Sequence, residues 1–288
     1  MTRWIKILFE LTKFRISCLS TFSAFAGFVL AHRNLSGEMI SPLLGVFFLA
    51  SGSCALNQYQ EREDDRRMKR TQGRPIPSKR LSPSTALKIS FSLLGLGALI
   101  LYSGAKGSAL GLGLFAVFWY NGIYTYLKRK TSFAVIPGAL IGSIPPVIGW
   151  ISGKGHPVFD PQILALSFFF FIWQVPHFWL LLLNFEKDYE TSRFPSLTKL
   201  LSRPQLSRIT FAWIFATAVT CVTIPLFGIV ESKTIYGGLF LMGFWLIWKS
   251  SKLLLIHCKE VSFQFTFKTV NSYALLVMVL LVLDHLIF

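Results

Sequence analysis

The sequence predicts an all-α polytopic membrane protein with about nine transmembrane helices, and three observations carry that prediction. Hydrophobic residues make up 53% of the 288, while charged residues reach only 15%, too few to clothe a water-soluble domain of this length. The apolar residues are gathered into long blocks. Lysine and arginine are distributed very unevenly between the two ends of those blocks.

The blocks span residues 17–31, 40–56, 85–102, 108–126, 133–151, 161–183, 209–230, 235–248 and 263–288. Most reach the roughly 20 helical residues that cross a hydrocarbon core of about 30 Å. Lipid cannot satisfy a bare backbone, so segments of this length and uniformity are expected to be helices. The block at 235–248 is short and needs residues 249–257 to extend it, which leaves eight spans as the alternative count. The first fifteen residues are basic and mildly amphipathic, with Trp4, Ile7, Leu8 and Leu11 as the apolar set. They lack a short hydrophobic stretch ending in small residues, so they read as an interfacial helix leading into the first span. Cys18, Cys54, Cys221 and Cys258 form no CxxC pair and read as free thiols in or beside apolar blocks.

The net charge of +16 would suggest a nucleic-acid partner in a soluble protein. Here its distribution points to the lipid bilayer instead, and no nucleic acid is expected. Numbered from the N-terminus through nine spans, 25 of the 29 lysines and arginines fall on one side. Only Arg33, Lys106, Lys154 and Lys233 fall on the other. The positive-inside rule then predicts a protein of the cell inner (cytoplasmic) membrane with its N-terminus in the cytoplasm and its C-terminus outside.

Orientation alone does not account for the loop at 57–83, which mixes acids and bases densely. Asn57, Glu61 and Asp65 stand at i, i+4 and i+8 and share one helix face, with Asp64 on its flank. Acids stacked one turn apart repel unless a positive group sits among them. A hard divalent cation carrying phosphate ligands meets that need, because Mg²⁺ favours one or two carboxylates plus substrate phosphates. The cations that follow, Lys69, Arg70, Arg74, Lys79 and Arg80, are placed to meet the remaining phosphate oxygens. A salt-bridged helix end at the membrane surface is the competing reading of the spacing.

Read as a whole, the string from Asn57 through Met68, Arg70, Thr71, Arg74 and Pro75 resembles the first aspartate-rich motif of the UbiA superfamily of intramembrane prenyltransferases. Its second half is similar to the branch that prenylates haem. Two more blocks follow in the family's order: Tyr124 to Thr131 with Gly138, Pro145, Pro146, Gly149 and Trp150, then Trp173, Pro176, His177, Phe178, Trp179, Asp188, Tyr189 and Pro195. Departures are Glu61 where the superfamily commonly has Asp, Lys187 where this branch is often acidic, and no glycine before Pro195.

The resemblance implies one prenyltransferase domain over residues 1–288, with its helices around a central cavity. It implies Mg²⁺ as cofactor, farnesyl diphosphate as donor and protoheme IX as acceptor. A farnesyl cation would add to a haem vinyl group, water would capture the resulting cation, and the product would carry a hydroxyethylfarnesyl chain. Asn57, Glu61, Asp65 and Asp188, with Glu186 as a further acid, are the implied metal ligands and catalytic groups. Arg70, Arg74, Lys128 and Arg129 are the implied pyrophosphate contacts. His177 is both a candidate haem contact, as an ionisable residue at membrane depth, and a candidate helix-packing residue beside Pro176. The aromatics around 168–179 are expected mainly to meet lipid, with a few facing the cavity to stabilise a carbocation. Two other functions stay open: prenylation of an aromatic quinone precursor, and a transporter or haem-handling protein without catalysis. Acids clustered at the span ends, rather than deep in the spans, argue against the transporter.

Overall fold

A computed structural model describes residues 3–156, 160–186, 188, 194–255 and 263–287, and among these the chain is helical with no strand. In chain order the principal helices are α1 (Arg3–Leu11), α2 (Phe14–His32), α3 (Ile40–Gln60), α4 (Arg62–Arg67) and α5 (Pro83–Val117). A π-helical stretch (Phe118–Tyr124) and α6 (Thr125–Leu127) lead to α7 (Val135–Lys154) and α8 (Pro161–Asn184). The bundle ends with α9 (Arg203–Thr223), α10 (Lys233–Ser250) and α11 (Phe263–Ile287).

Local chemistry sets several starts. Ser82 accepts a hydrogen bond from the Thr85 amide, and Pro83 occupies the first turn of α5. Ser202 and Gln205 form a capping box on α9, which therefore begins six residues before the apolar block that predicts it. α1 lies at the edge with Ile7 and Leu11 buried while Trp4, Ile5, Leu8 and Phe9 stay exposed, as expected of an interfacial helix.

Eight helices among the described residues are long and apolar enough to cross a membrane. The ninth crossing is hidden inside α5. Its 35 residues are helical throughout, yet a Cβ added at Gly113 would lie 2.9 Å from Leu101 Cδ2. Twelve residues of straight helix separate such atoms by about 18 Å. The chain therefore doubles back between Leu101 and Gly113. Both arms lie on α3: Gly97 and Gly113 would each bring a Cβ within 3.0 Å of Leu49. The first arm covers the predicted 85–102 span and the second the predicted 108–126 span, which adds a ninth traversal to the eight among the described residues.

α2 packs on α3, α7 and α11, while α8 packs on α7, α9 and α11. The α2–α7 seam is the tightest. A Cβ at Gly149 would meet the Ala24 carbonyl oxygen at 1.8 Å, and one at Gly27 would meet the Pro146 carbonyl oxygen at 2.0 Å. Lipid supplies no hydrophobic drive between helices, so this backbone-to-backbone approach is what joins the two. At the end opposite the basic loops, buried Asp284 accepts from the Glu231 and Ser232 amides at 2.8 and 3.0 Å, and Arg33 pairs with Glu231 at 2.7 Å. The aromatics at 168–179, expected mainly to meet lipid, are mostly turned inward instead: Phe168 is exposed, Phe171, Trp173 and Phe178 are half-buried, and Phe169, Phe170 and Trp179 are buried by helix packing.

Doubling back predicts sidedness. In a cysteine-free background, Ser103→Cys should label only from one side of the membrane, and Ser78→Cys and Lys130→Cys only from the other. Labelling of all three from one side would exclude the reversal within α5.

Candidate active site

α3 ends at Gln60 because Glu61 leaves helical geometry (φ −101°, ψ 5°), and α4 restarts at Arg62. The interruption does not break the acidic face. Glu61 N still donates to Asn57 O at 2.9 Å and Asp65 N to Glu61 O at 2.8 Å, so the i, i+4, i+8 relation survives. Asn57, Glu61 and Asp65 are buried at 1%, 5% and 3% exposure and line one cavity of about 380 Å³.

Each of these groups is met by a cation from another element. Lys128, just after α6, pairs with Glu61 Oε1. Arg74 donates to both Asp65 carboxylate oxygens at 2.7 Å. Lys13, between α1 and α2, donates to Asn57 Oδ1 at 3.0 Å, while Asn57 Nδ2 donates to Glu61 Oε1 at 2.5 Å and to Thr125 Oγ1 at 3.1 Å. Burial raises the Glu61 carboxyl. The charges of Lys128 and Lys13 and the Lys128 and Asn57 hydrogen bonds outweigh it and leave Glu61 below the usual carboxylate range. Burial, with the Arg74 charge next in weight, lowers the Lys13 ammonium to about 8.

Lys13 is the residue that sequence reasoning missed. Its backbone is left-handed (φ 47°, ψ 52°), which turns the chain sharply from α1 into α2 and carries the ammonium into the cavity. It is one of four cations before the first span, with Arg3, Lys6 and Arg15, and no spacing sets it apart from them.

The π-helical stretch builds the facing wall. Thr125 Oγ1 donates to Tyr120 O, five residues back, at 2.8 Å. The wider turn leaves Tyr120 and Tyr124 stacked at 5.8 Å, both lining the cavity. Asn121 is held to α3 through Ser53 O and Gln60 Oε1, each at 3.0 Å. Deeper in, the wall is apolar: Val46, Leu49, Ile144 and Ile148 belong to one buried cluster and also line the cavity.

The other sequence-derived candidates divide. Arg70 lines the cavity, with its guanidinium carbon 5.4 Å from the Phe185 ring centre. Arg129 is turned away onto Asp64 (2.9 and 3.2 Å) and Gln60 O, and it does not line the cavity. Asp188 reaches the same end of the bundle, where its Oδ2 accepts from the Arg70 amide at 3.0 Å, but it stands at the rim. Glu186 pairs with Arg203 at 3.1 Å. Arg80 pairs with Glu10 and bonds Gly73 O, so it faces α1; Lys69 and Lys79 also lie off the cavity. His177 lies in the α8–α11 seam, its Nδ1 2.6 Å from Asn271 Oδ1, between the Trp173, Phe178 and Phe267 rings. On α8 it is Gln174, Phe178, Trp179, Leu181 and Leu182 that line the cavity. Lys187 and Tyr189 lie outside the described residues.

Among the described residues no three His, Cys, Asp or Glu side chains converge as a metal cage. Two carboxylates and an amide oxygen, with cations around them, form an all-oxygen set suited to a hard cation that keeps phosphate or water ligands.

Among the described residues, helices long and apolar enough to cross a membrane surround an apolar cavity with an acid-and-base mouth, the arrangement of a polytopic membrane prenyltransferase. The chain belongs to the UbiA prenyltransferase family, whose sequence profile matches residues 20–282. It is 39% identical over 233 residues to the protoheme IX farnesyltransferase of Geobacter sulfurreducens, covering 81% of this chain and 84% of that one. It is 32% identical over 278 residues to the protoheme IX farnesyltransferase of Nitratidesulfovibrio vulgaris, covering 96% and 94%. Among solved structures, a digeranylgeranylglyceryl phosphate synthase superposes with TM-score 0.79 at 14% identity over all of both chains. A UbiA homolog from Archaeoglobus fulgidus bound to GPP and Mg²⁺ superposes with TM-score 0.66 at 12% identity, covering 96% of this chain and 98% of that one.

Removing one partner of a buried ion pair leaves an uncompensated charge. Arg74→Met should therefore lower stability in detergent by about 2 kcal/mol, and adding Asp65→Asn should restore most of it. Equal melting temperatures for the wild type and the single variant would show that the pair contributes nothing.

Proposed function

We propose that this protein transfers the farnesyl group of farnesyl diphosphate to a vinyl group of protoheme IX, with addition of water, giving haem O. The observation that carries the proposal is the convergence of Asn57, Glu61 and Asp65 with Lys13, Arg74 and Lys128 at the mouth of an apolar, membrane-depth cavity. The names of the curated relatives support the acceptor and the donor.

Asn57, Glu61 and Asp65 hold Mg²⁺, and Asp188 reaches the rim as a further acid. Mg²⁺ when bound supplies charge to stabilise the departing diphosphate. Lys13, Lys128, Arg70 and Arg74 bind the phosphate oxygens and are preorganised for the charge that develops there as the allylic C–O bond breaks. The farnesyl chain lies along α3. From Asn57 to Leu49 the helix descends about 12 Å, and Val46, Leu49, Ile144 and Ile148 give the cavity an apolar wall there. The Tyr120 and Tyr124 ring faces stand beside the leaving-group end, where they stabilise the allylic cation. Arg129 holds Asp64 and the end of α3 rather than substrate. The mouth, with the basic loops, faces the cytoplasm of a cell whose inner membrane holds the protein.

Membranes expressing the wild type should contain haem O by mass spectrometry, and membranes expressing Asp65→Ala should lose it by about a hundredfold or more. Undiminished product from folded Asp65→Ala would remove the acidic face from the chemistry.

Lys13 gives a pH dependence. Its ammonium is intact below about 8 and becomes a neutral amine above it, so it holds an anionic substrate only on the acid side. kcat/KM for farnesyl diphosphate should fall as pH rises through about 8, and Lys13→Arg should flatten that limb. A wild-type profile without such a limb would take Lys13 out of the diphosphate site.

A further inference from the structure

One reactant of the proposed reaction has no place in the site so far: the water that becomes the hydroxyl. A water in a cavity with apolar walls stays only where two to four polar partners hold it. Gln174 on α8 lines the cavity at membrane depth, and its Oε1 is buried without a hydrogen-bond partner. A buried, unpaired carbonyl oxygen costs on the order of 1–3 kcal/mol and calls for an explanation.

What surrounds it is also polar. A Cβ added at Gly142 on α7 would lie 1.6 Å from Gln174 Oε1, so the carboxamide fits only because position 142 is glycine. Pro145 and Pro146 lie inside α7 and carry no N–H, which strips the Ile141 and Gly142 carbonyls of their helical donors. Ile141 and Gly142 both line the cavity. The terminal torsion of glutamine is broad and two-fold, so either arm of the carboxamide can turn to the cavity. One side chain and two freed carbonyls thus belong to neighbouring residues of the same cavity wall.

The depth of that part of the wall fits its use. Asn57 bonds Thr125, the neighbouring Tyr124 ring lies against Gly138, and Gly142 is one helical turn, about 6 Å, further along α7. The niche sits just beneath the groups assigned to the diphosphate, where the allylic carbon and the acceptor would meet.

We propose that Gln174, with the Ile141 and Gly142 carbonyls, binds the water that captures the carbocation and so selects hydroxylation over loss of a proton. The inference rests on the proposed function. In the step, the C–O bond of farnesyl diphosphate breaks and its electron pair leaves with diphosphate. The vinyl π pair then bonds the farnesyl terminal carbon, placing positive charge on the vinyl carbon next to the porphyrin ring. A lone pair of the held water bonds that carbon, and the water's proton passes to the released diphosphate. Without a held water, the same cation loses a proton to the same base and gives an alkene lighter by one water.

Product analysis by mass spectrometry, in water enriched in heavy oxygen, tests this. Wild type should give labelled hydroxyl product. Gln174→Leu should lower the hydroxyl-to-alkene ratio about tenfold or more, with prenylation itself continuing, and Gln174→Glu should restore the ratio. Gly142→Ala, which displaces the carboxamide but keeps Gln174, should shift the ratio in the same direction if Gln174→Leu does not fold. An unchanged ratio in a folded Gln174→Leu or Gly142→Ala protein overturns the proposal. A wild type that forms no prenylated haem overturns the proposed function instead.

Discussion

Two buried carboxylates at the mouth of a cavity in a membrane bundle are stable only if cations reach them, and the rest of the site follows from that requirement. Glu61 and Asp65 have almost no exposure, and a lone ionised acid in such a place would cost several kcal/mol. Lys128 and Arg74 supply the compensation, and Lys13 ties in through Asn57. These cations come from three separate stretches of chain. The left-handed turn at Lys13, the loop that brings Arg74 back onto α4, and the π-helical stretch ahead of Lys128 each deliver one of them.

The same requirement shapes the bundle above the site. A cavity cannot survive among apolar helices unless other contacts hold its walls apart and the bundle shut elsewhere. The glycines of the α2–α7 seam let those two backbones touch on one side of α7. On its other side Gly142 leaves room for the Gln174 carboxamide of α8, and residues of both helices line the cavity there. The seam between α8 and α11 is shut by His177, Asn271 and Trp173, which bond across it. Small residues thus close one face of the bundle, and polar pairs close another.

Most of the architecture was legible from block lengths and charge, because lipid forces every spanning segment to be helical. The ninth crossing was legible in the sequence and obscured in the helix boundaries, since α5 stays helical through its own reversal. The acidic face was legible as well: hydrogen bonds preserve the i, i+4, i+8 spacing across the break at Glu61. What spacing could not supply was partner choice. Arg74 and Arg129 are both basic and both lie near acids, yet one enters the cavity and the other anchors Asp64 outside it. His177 and Gln174 are three residues apart on α8, and a rotation of about 60° between them on the helix sends one to the α11 seam and the other to the cavity. Which side of α8 meets a neighbour is decided by packing, and a single span that is apolar all round carries no mark of it.

The paired charges also bear on how a site of this kind could accept a highly charged substrate. Without ligand, each acid is neutralised by a protein cation, so desolvation of both partners was already met when the chain folded. Under the proposed reading, a metal-bound diphosphate brings both signs of charge together. Glu61 and Asp65 would hold the metal, and Lys128 and Arg74 would meet phosphate oxygens in place of those carboxylates. Each protein group would keep an opposite charge beside it, so its own desolvation is not met a second time. Binding then needs little rearrangement beyond side-chain torsions, and the dipoles that stabilise the leaving group are in place before the bond breaks. Acids without those cations would bind metal more tightly but would stand unpaired at membrane depth before it arrived.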